Sequence, residues 1–164
     1  MSRPILVKNI MVQKHLQDFN VFPKHVGVWY GYWTRLDAKA QETLRFEAEI
    51  TQKIIDNQWM QTNTYKYPDG RNVTNSFVGK VISEDEVEIE ALDVPEWQNF
   101  KTIAREYGDN IIIFNVWNKT TGDLFATEVI NLINHNNRCR TSQSFTEEGK
   151  VKGFMLIVEE RVLE

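Results

Sequence analysis

Glu128 is the residue whose setting most invites chemistry. The run Leu124 to Asn134 places Leu124, Ala126, Glu128, Ile130 and Leu132 on one side of an extended strand, because strand side chains alternate with a period of two. A carboxylate in an apolar stripe must be paired or carry a raised pKa. Partners are at hand: Arg138 and Arg140 share a face of the next run, and Glu159 and Arg161 share a face of the last one with Met155 and Ile157. An interior Glu–Arg pair could hold the polar end of a ligand, or act as acid or base if one member is desolvated. The competing reading is a structural ion pair, or charges in solvent at a rim.

A second face supports the ligand reading. In Gln58 to Tyr67, Trp59, Gln61, Asn63, Tyr65 and Tyr67 point one way, and Met60, Thr62, Thr64 and Lys66 the other. Aromatic area interrupted by amides and phenols is the lining expected of a pocket, although an outer face would show the same pattern, since register is not fixed by sequence alone. The candidate ligand-binding set is Trp33, Phe46, Gln61, Asn63, Trp117, Arg138 and Arg140. Glu128 is the candidate acid or base, with Tyr65 or Arg140 holding a carbonyl oxygen.

These residues need strands to present them. In Thr43 to Thr51, Leu44, Phe46, Ala48 and Ile50 alternate strictly with Arg45, Glu47 and Glu49, so one face is buried and one is wet. His25 to Leu36 forms the first strand. Further strands are expected at 58–67, 73–82, 86–92, 110–118, 124–134, 138–145 and 151–162. Asp69-Gly70, Thr121-Gly122 and Glu148-Gly149 supply hairpin turns. Helical spacing predicts a helix over Asn9 to Phe19, within an N-terminal helical segment 1–24. It also predicts a short helix or lid over Val94 to Gly108, where Trp97, Phe100, Ile103, Ala104 and Tyr107 recur. About nine meandering strands leave two exposed edges unless they close, so residues 25–164 are expected to form one all-β, up-and-down antiparallel barrel. A β-sandwich would call for long crossings.

Composition narrows the class. The chain has 164 residues, 26% charged and 41% hydrophobic, with a formal charge of -4. That balance lacks the basic stripe a nucleic-acid surface requires. No apolar run approaches the length of a membrane helix, and the three apolar residues before Lys8 do not make a secretory signal. Cys139 is the only cysteine, which excludes an internal disulfide and favours a cytoplasmic setting. His15, His25 and His135 are scattered, so neither a metal nor another cofactor is expected. Cys139 alternates away from its arginine neighbours and reads as a packed small hydrophobe.

The runs GVWYGYWTRLD, QTNTYKYPDGR, TEVINLI, RCRTSQSF and LIVEERV resemble the first domain of a lipocalin-like (calycin) family of unknown function found mainly in cyanobacteria. The matching positions are Gly27, Trp29, Gly31, Thr34 and Arg35, then Gln61, Thr62, Asn63 and Tyr65, then Glu160 and Arg161. The resemblance implies a barrel opened by Gly27 and plugged by Trp29, with Arg161 lying across that indole. Such a cation–π contact contributes about 0.5–2 kcal/mol; Arg35 or Arg138 could take the same place. A more distant similarity is to bilin lyases, through Trp33-Thr34-Arg35.

Three functions remain open. The barrel could carry a small, mostly hydrophobic molecule such as a terpenoid, a pigment or a fatty acid. It could act as a cofactor-independent cyclase or isomerase on a polyene or prenylated substrate in the same cavity, or as a bilin lyase. A protein-interaction module, including a homodimer, is the third.

Overall fold

The computed structural model describes residues 13–163. Alternation becomes architecture: ten antiparallel strands follow one another in sequence order and close on themselves. They are β1 (Gly27–Asp37), β2 (Glu42–Ile55), β3 (Gln58–Lys66), β4 (Asn72–Val81), β5 (Glu86–Ala91), β6 (Phe100–Tyr107), β7 (Ile111–Asn118), β8 (Leu124–Asn134), β9 (Asn137–Phe145) and β10 (Val151–Arg161). The last strand pairs with the first, Trp29 opposite Arg161 and Trp33 opposite Ile157, so no sheet edge is left free. This is the expected up-and-down barrel, with one strand more than anticipated. No helix among the described residues is long and apolar enough to cross a membrane.

The extra strand corrects the reading of Val94 to Gly108. Only Pro95–Asn99 forms a helical turn, of 3-10 type, and Phe100–Tyr107 is strand β6. Its inward residues are Thr102, Ala104 and Glu106, which are small or polar. The aliphatic and aromatic residues that imitate helical spacing, Ile103 and Tyr107, fall on the other face.

The segment before β1 also differs from its reading. Residues 9–12 lie outside the described residues. From residue 13 onward there are two short 3-10 turns, Leu16–Asp18 and Phe22–His25, and no α-helix. Leu16, Phe19, Val21 and Phe22 are buried and plug one end of the barrel. Besides the local bonds of these two turns, long-range hydrogen bonds hold this plug. The Leu16 N–H donates to Asn57 Oδ1 at 2.7 Å. The N–H groups of Asn20, Val21 and Phe22 donate to the Glu106 carboxylate at 2.8, 2.7 and 3.3 Å. Glu106 is therefore on β6 to bind the plug. Glu106→Ala leaves those three donors unsatisfied and should lower stability in urea by about 1–3 kcal/mol, with amide exchange accelerated first at residues 16–25.

Near the plug the barrel is solid. Trp29, Ile50, Trp59, Val87, Ala104, Ile112, Ile130 and Ile157 belong to one core cluster. Toward the other end, the sheet parts around a void.

Candidate functional site

The void measures about 220 Å³. Its walls are largely apolar, with Trp33, Phe77, Ile89, Phe114 and Val116, and Trp97 reaches it from the β5–β6 connection at the open end. The polar lining comes from Gln61, Asn63, Tyr65, Thr102, Glu128, Arg140 and Ser142. Inward faces of β3, β6, β8 and β9 supply these groups, so the Gln58 to Tyr67 face with the aromatics and amides is the inner one.

Beneath the void lies a chain of alternating charges. Arg138 pairs with Glu159, its direct cross-strand neighbour. Arg140 reaches Glu159 at 3.4 Å and Glu128 at 2.7 Å. Glu128 is thus paired, the first of the two options open to a carboxylate in that stripe. Each guanidinium also lies on an indole: Arg138 at 4.2 Å from the Trp29 ring and Arg140 at 5.0 Å from Trp33. The Trp33 indole N–H donates to Glu159 at 3.2 Å. Burial draws the Arg138 pKa down to about 10 despite Glu159. Burial would lower Arg140 too, but Glu128 and Glu159 outweigh it and raise it.

A second chain, of neutral groups, starts from the same arginine and has a fixed direction. Guanidinium can only donate. Arg138 Nη1 donates to Gln52 Oε1 at 2.7 Å, which leaves the Gln52 amide N–H to donate to Gln61 Oε1 at 2.8 Å. The Trp59 indole, also donor-only, reaches the same oxygen at 3.0 Å. Gln61 then donates to Asn63 at 2.9 Å, and Asn63 to the Tyr65 hydroxyl oxygen at 2.9 Å. Every amide orientation follows from its donor-only neighbours. The relay ends at Tyr65, whose own hydrogen remains to be donated. Burial raises the Tyr65 pKa, which keeps the phenol protonated.

His25 closes the deep end. Its Nδ1 lies 3.0 Å from Arg138 Nη1; since the guanidinium donates, Nδ1 accepts and the ring proton sits on Nε2, which is buried with no partner among the described residues. Burial, then the Arg138 and Arg140 charges, hold this imidazole well below its ordinary pKa of 6.5. The unfolded chain therefore binds a proton that the folded chain does not. The stabilisation is full above pH 6.5 and is lost as pH falls below it, by at most about 1.4 kcal/mol per pH unit. His25→Asn should flatten the difference in urea stability between about pH 7 and about pH 5.5.

With this geometry in view, comparison with known proteins is informative. The family described as "Domain of unknown function (DUF3598), N-terminal" matches residues 15–164. The chain belongs to the DUF3598 family. A solved DUF3598 protein of unknown function from Nostoc punctiforme shares 17% identity and a TM-score of 0.61, over 86% of this chain and 49% of that one. The chain thus spans about half of that relative's length. An S-type phycobiliprotein lyase from Guillardia theta shares 14% identity at a TM-score of 0.61, covering 87% and 91%. The Mycobacterium tuberculosis protein Rv2717c shares 11% at 0.62, covering 85% and 94%. At these identities the solved structures establish a shared lipocalin-like barrel. No curated protein matched the chain.

The DUF3598 barrel gathers Trp33, Gln61, Asn63, Tyr65, Glu128 and Arg140 around its cavity. Three expected lining residues lie elsewhere. Phe46 is buried behind Trp33 and Tyr65, with ring centroids 5.8 Å from each. Arg138 is sealed below the void by Glu159, Gln52 and His25. Trp117 follows the inward Val116, where β7 and β8 slip register, and it faces a separate shallow outer depression with Lys101 and Ile103. Arg161 lies 4.3 Å from the Trp29 ring and donates to the Val26 and Lys24 carbonyls at 2.6 and 2.7 Å, tying β10 to the plug. A side chain on Gly27 would meet that guanidinium at 2.5 Å. The sequence pattern offered Glu159 as a charge partner but did not point to Trp97, Gln52 or Ser142. Ser142 was findable by period two; Trp97 lies on an irregular connection without a face to read.

Proposed function

We propose that this barrel binds one small, mostly apolar molecule, with its tail among Trp33, Phe77, Phe114 and Val116 and its polar end at Tyr65, Glu128 and Arg140. The observation that carries this reading is a void of about 220 Å³ inside the barrel, whose largely apolar walls also carry hydrogen-bonding groups. Each buried methylene would contribute about 0.8 kcal/mol, offset by the cost of ordering the ligand. A terpenoid or a short fatty-acid-like chain suits the volume. The barrel shared with a phycobiliprotein lyase supports a pigment as a further candidate, one that would extend past Trp97 through the mouth. Native mass spectrometry of freshly purified protein should show a non-covalent small-molecule adduct, and added terpenoid, pigment or fatty acid should change the tryptophan emission, to which Trp33 and Trp97 contribute from the cavity wall. The absence of both an adduct and a response to any of the three would refute ligand binding.

The cyclase or isomerase reading draws on one feature, the relay that leaves the Tyr65 O–H directed at the ligand. A phenol so placed could polarise a carbonyl. Product formation from a prenylated or polyene substrate, lost in Tyr65→Phe with binding retained, is the result this reading requires.

A further inference from the structure

We infer that the polar end of the ligand is uncharged and carries a hydrogen-bond acceptor next to a donor, as an amide, a lactam or a hydroxy-carbonyl group does. This rests on the ligand-binding reading above and specifies the class of molecule.

Charge balance is the first argument. The buried cluster holds two guanidiniums, Arg138 and Arg140, and two carboxylates, Glu159 and Glu128, each already facing an opposite charge. Formally it is neutral. An entering carboxylate or ammonium would add an uncompensated charge where water is scarce.

Access is the second argument. The Arg138 and Glu159 side chains are 0% exposed and that of Arg140 is 6%, against 18% for Glu128. Glu128 and Arg140 both line the void, and the carboxylate is the more exposed of the two, which disfavours an anion. An ammonium would in turn compete with Arg140 for Glu128 at 2.7 Å.

Hydrogen-bond supply is the third. The relay from Arg138 through Gln52, Gln61 and Asn63 leaves the Tyr65 O–H as an outgoing donor with no protein acceptor among the described residues. Glu128 uses Oε1 for Arg140, and its other oxygen has no donor among them. Tyr65 and Glu128 thus offer a committed donor and a committed acceptor on the cavity wall, beside the Thr102 and Ser142 hydroxyls, which serve either way; a ligand head with the reverse pair answers them.

Four probes of nearly equal size separate the possibilities: octanamide, nonan-2-one (a methyl in place of the amide NH2), octanoate and octylamine. Binding is read at neutral pH by calorimetry and by tryptophan emission. Octanamide should bind about ten-fold or more tightly than octanoate and octylamine, and more tightly than the less hydrated ketone. Glu128→Gln makes the cluster cationic and should improve octanoate about ten-fold relative to octanamide. Octanoate, octylamine or the ketone matching octanamide on the wild-type protein would overturn the inference and leave ligand binding standing. An unchanged preference in a folded Glu128→Gln protein would do the same. Failure of all four probes to bind would overturn the binding reading, and this inference with it. The wild-type comparison decides the matter without any variant having to fold.

Discussion

Glu159→Ala should lower the unfolding free energy by about 3–5 kcal/mol, the usual cost of leaving a buried charge without its partner. Glu159 is fully buried, pairs with Arg138, lies 3.4 Å from Arg140 and accepts the Trp33 indole N–H. Removing it strands the Arg138 guanidinium, leaves Arg140 with Glu128 alone and empties space between two indoles. In urea the midpoint should fall with little change in m-value, and the melting temperature should drop by about 10 °C, as expected for a domain of this size. The double variant Arg138→Met, Glu159→Leu should recover part of the loss, since apolar residues of similar volume often replace a buried ion pair without harm. A single variant as stable as wild type would show that the pair contributes nothing to the fold.

Gly31→Ala should be comparably damaging through geometry alone. A Cβ at position 31 would lie 1.9 Å from the Val158 carbonyl oxygen and 2.8 Å from the Glu159 Cα. Both are backbone atoms of the paired strand, with no rotamer to turn away. Gly31 stands directly opposite Glu159, so its missing side chain lets β10 press against β1 and sets the carboxylate between Trp29 and Trp33. The substitution must force the strands apart; overpacking of this kind costs about 1–3 kcal/mol, and more where the backbone cannot yield. The expected readouts are a large fall in the urea midpoint and faster amide exchange along β1 and β10. Wild-type stability with intact exchange protection would contradict the register described here.

Much of this was legible because period two is a simple code. Leu44, Phe46, Ala48 and Ile50 announced β2, and the same rule put Glu128 indoors with Arg140. It failed where inward residues are not apolar. On β6, Thr102 lines the cavity and Glu106 holds the plug, so the aliphatic residues faced outward and imitated a helix. Depth along the barrel axis was also hidden. Arg138 and Arg140 share a face, but only cross-strand register decides that one is sealed beside Glu159 while the other borders the void. Phe46 shows the same gap, being inward yet screened by Trp33 and Tyr65. The plug was misread because its order comes from Glu106, far away in sequence, and not from contacts a local pattern can reveal.

The closing seam has a consequence for how the molecule is made. Trp33 and Glu159 stand 126 residues apart in the chain, yet they meet where the first strand joins the last. During translation the indole-bearing strand emerges early and waits for its final neighbour, and until then the growing sheet has two sticky borders open to self-association. Maturation is therefore governed by the slowest, most distant pairing, which places refolding in the millisecond-to-second range of non-local topologies. Chains halted before Val151 should accumulate as aggregates and not as smaller barrels.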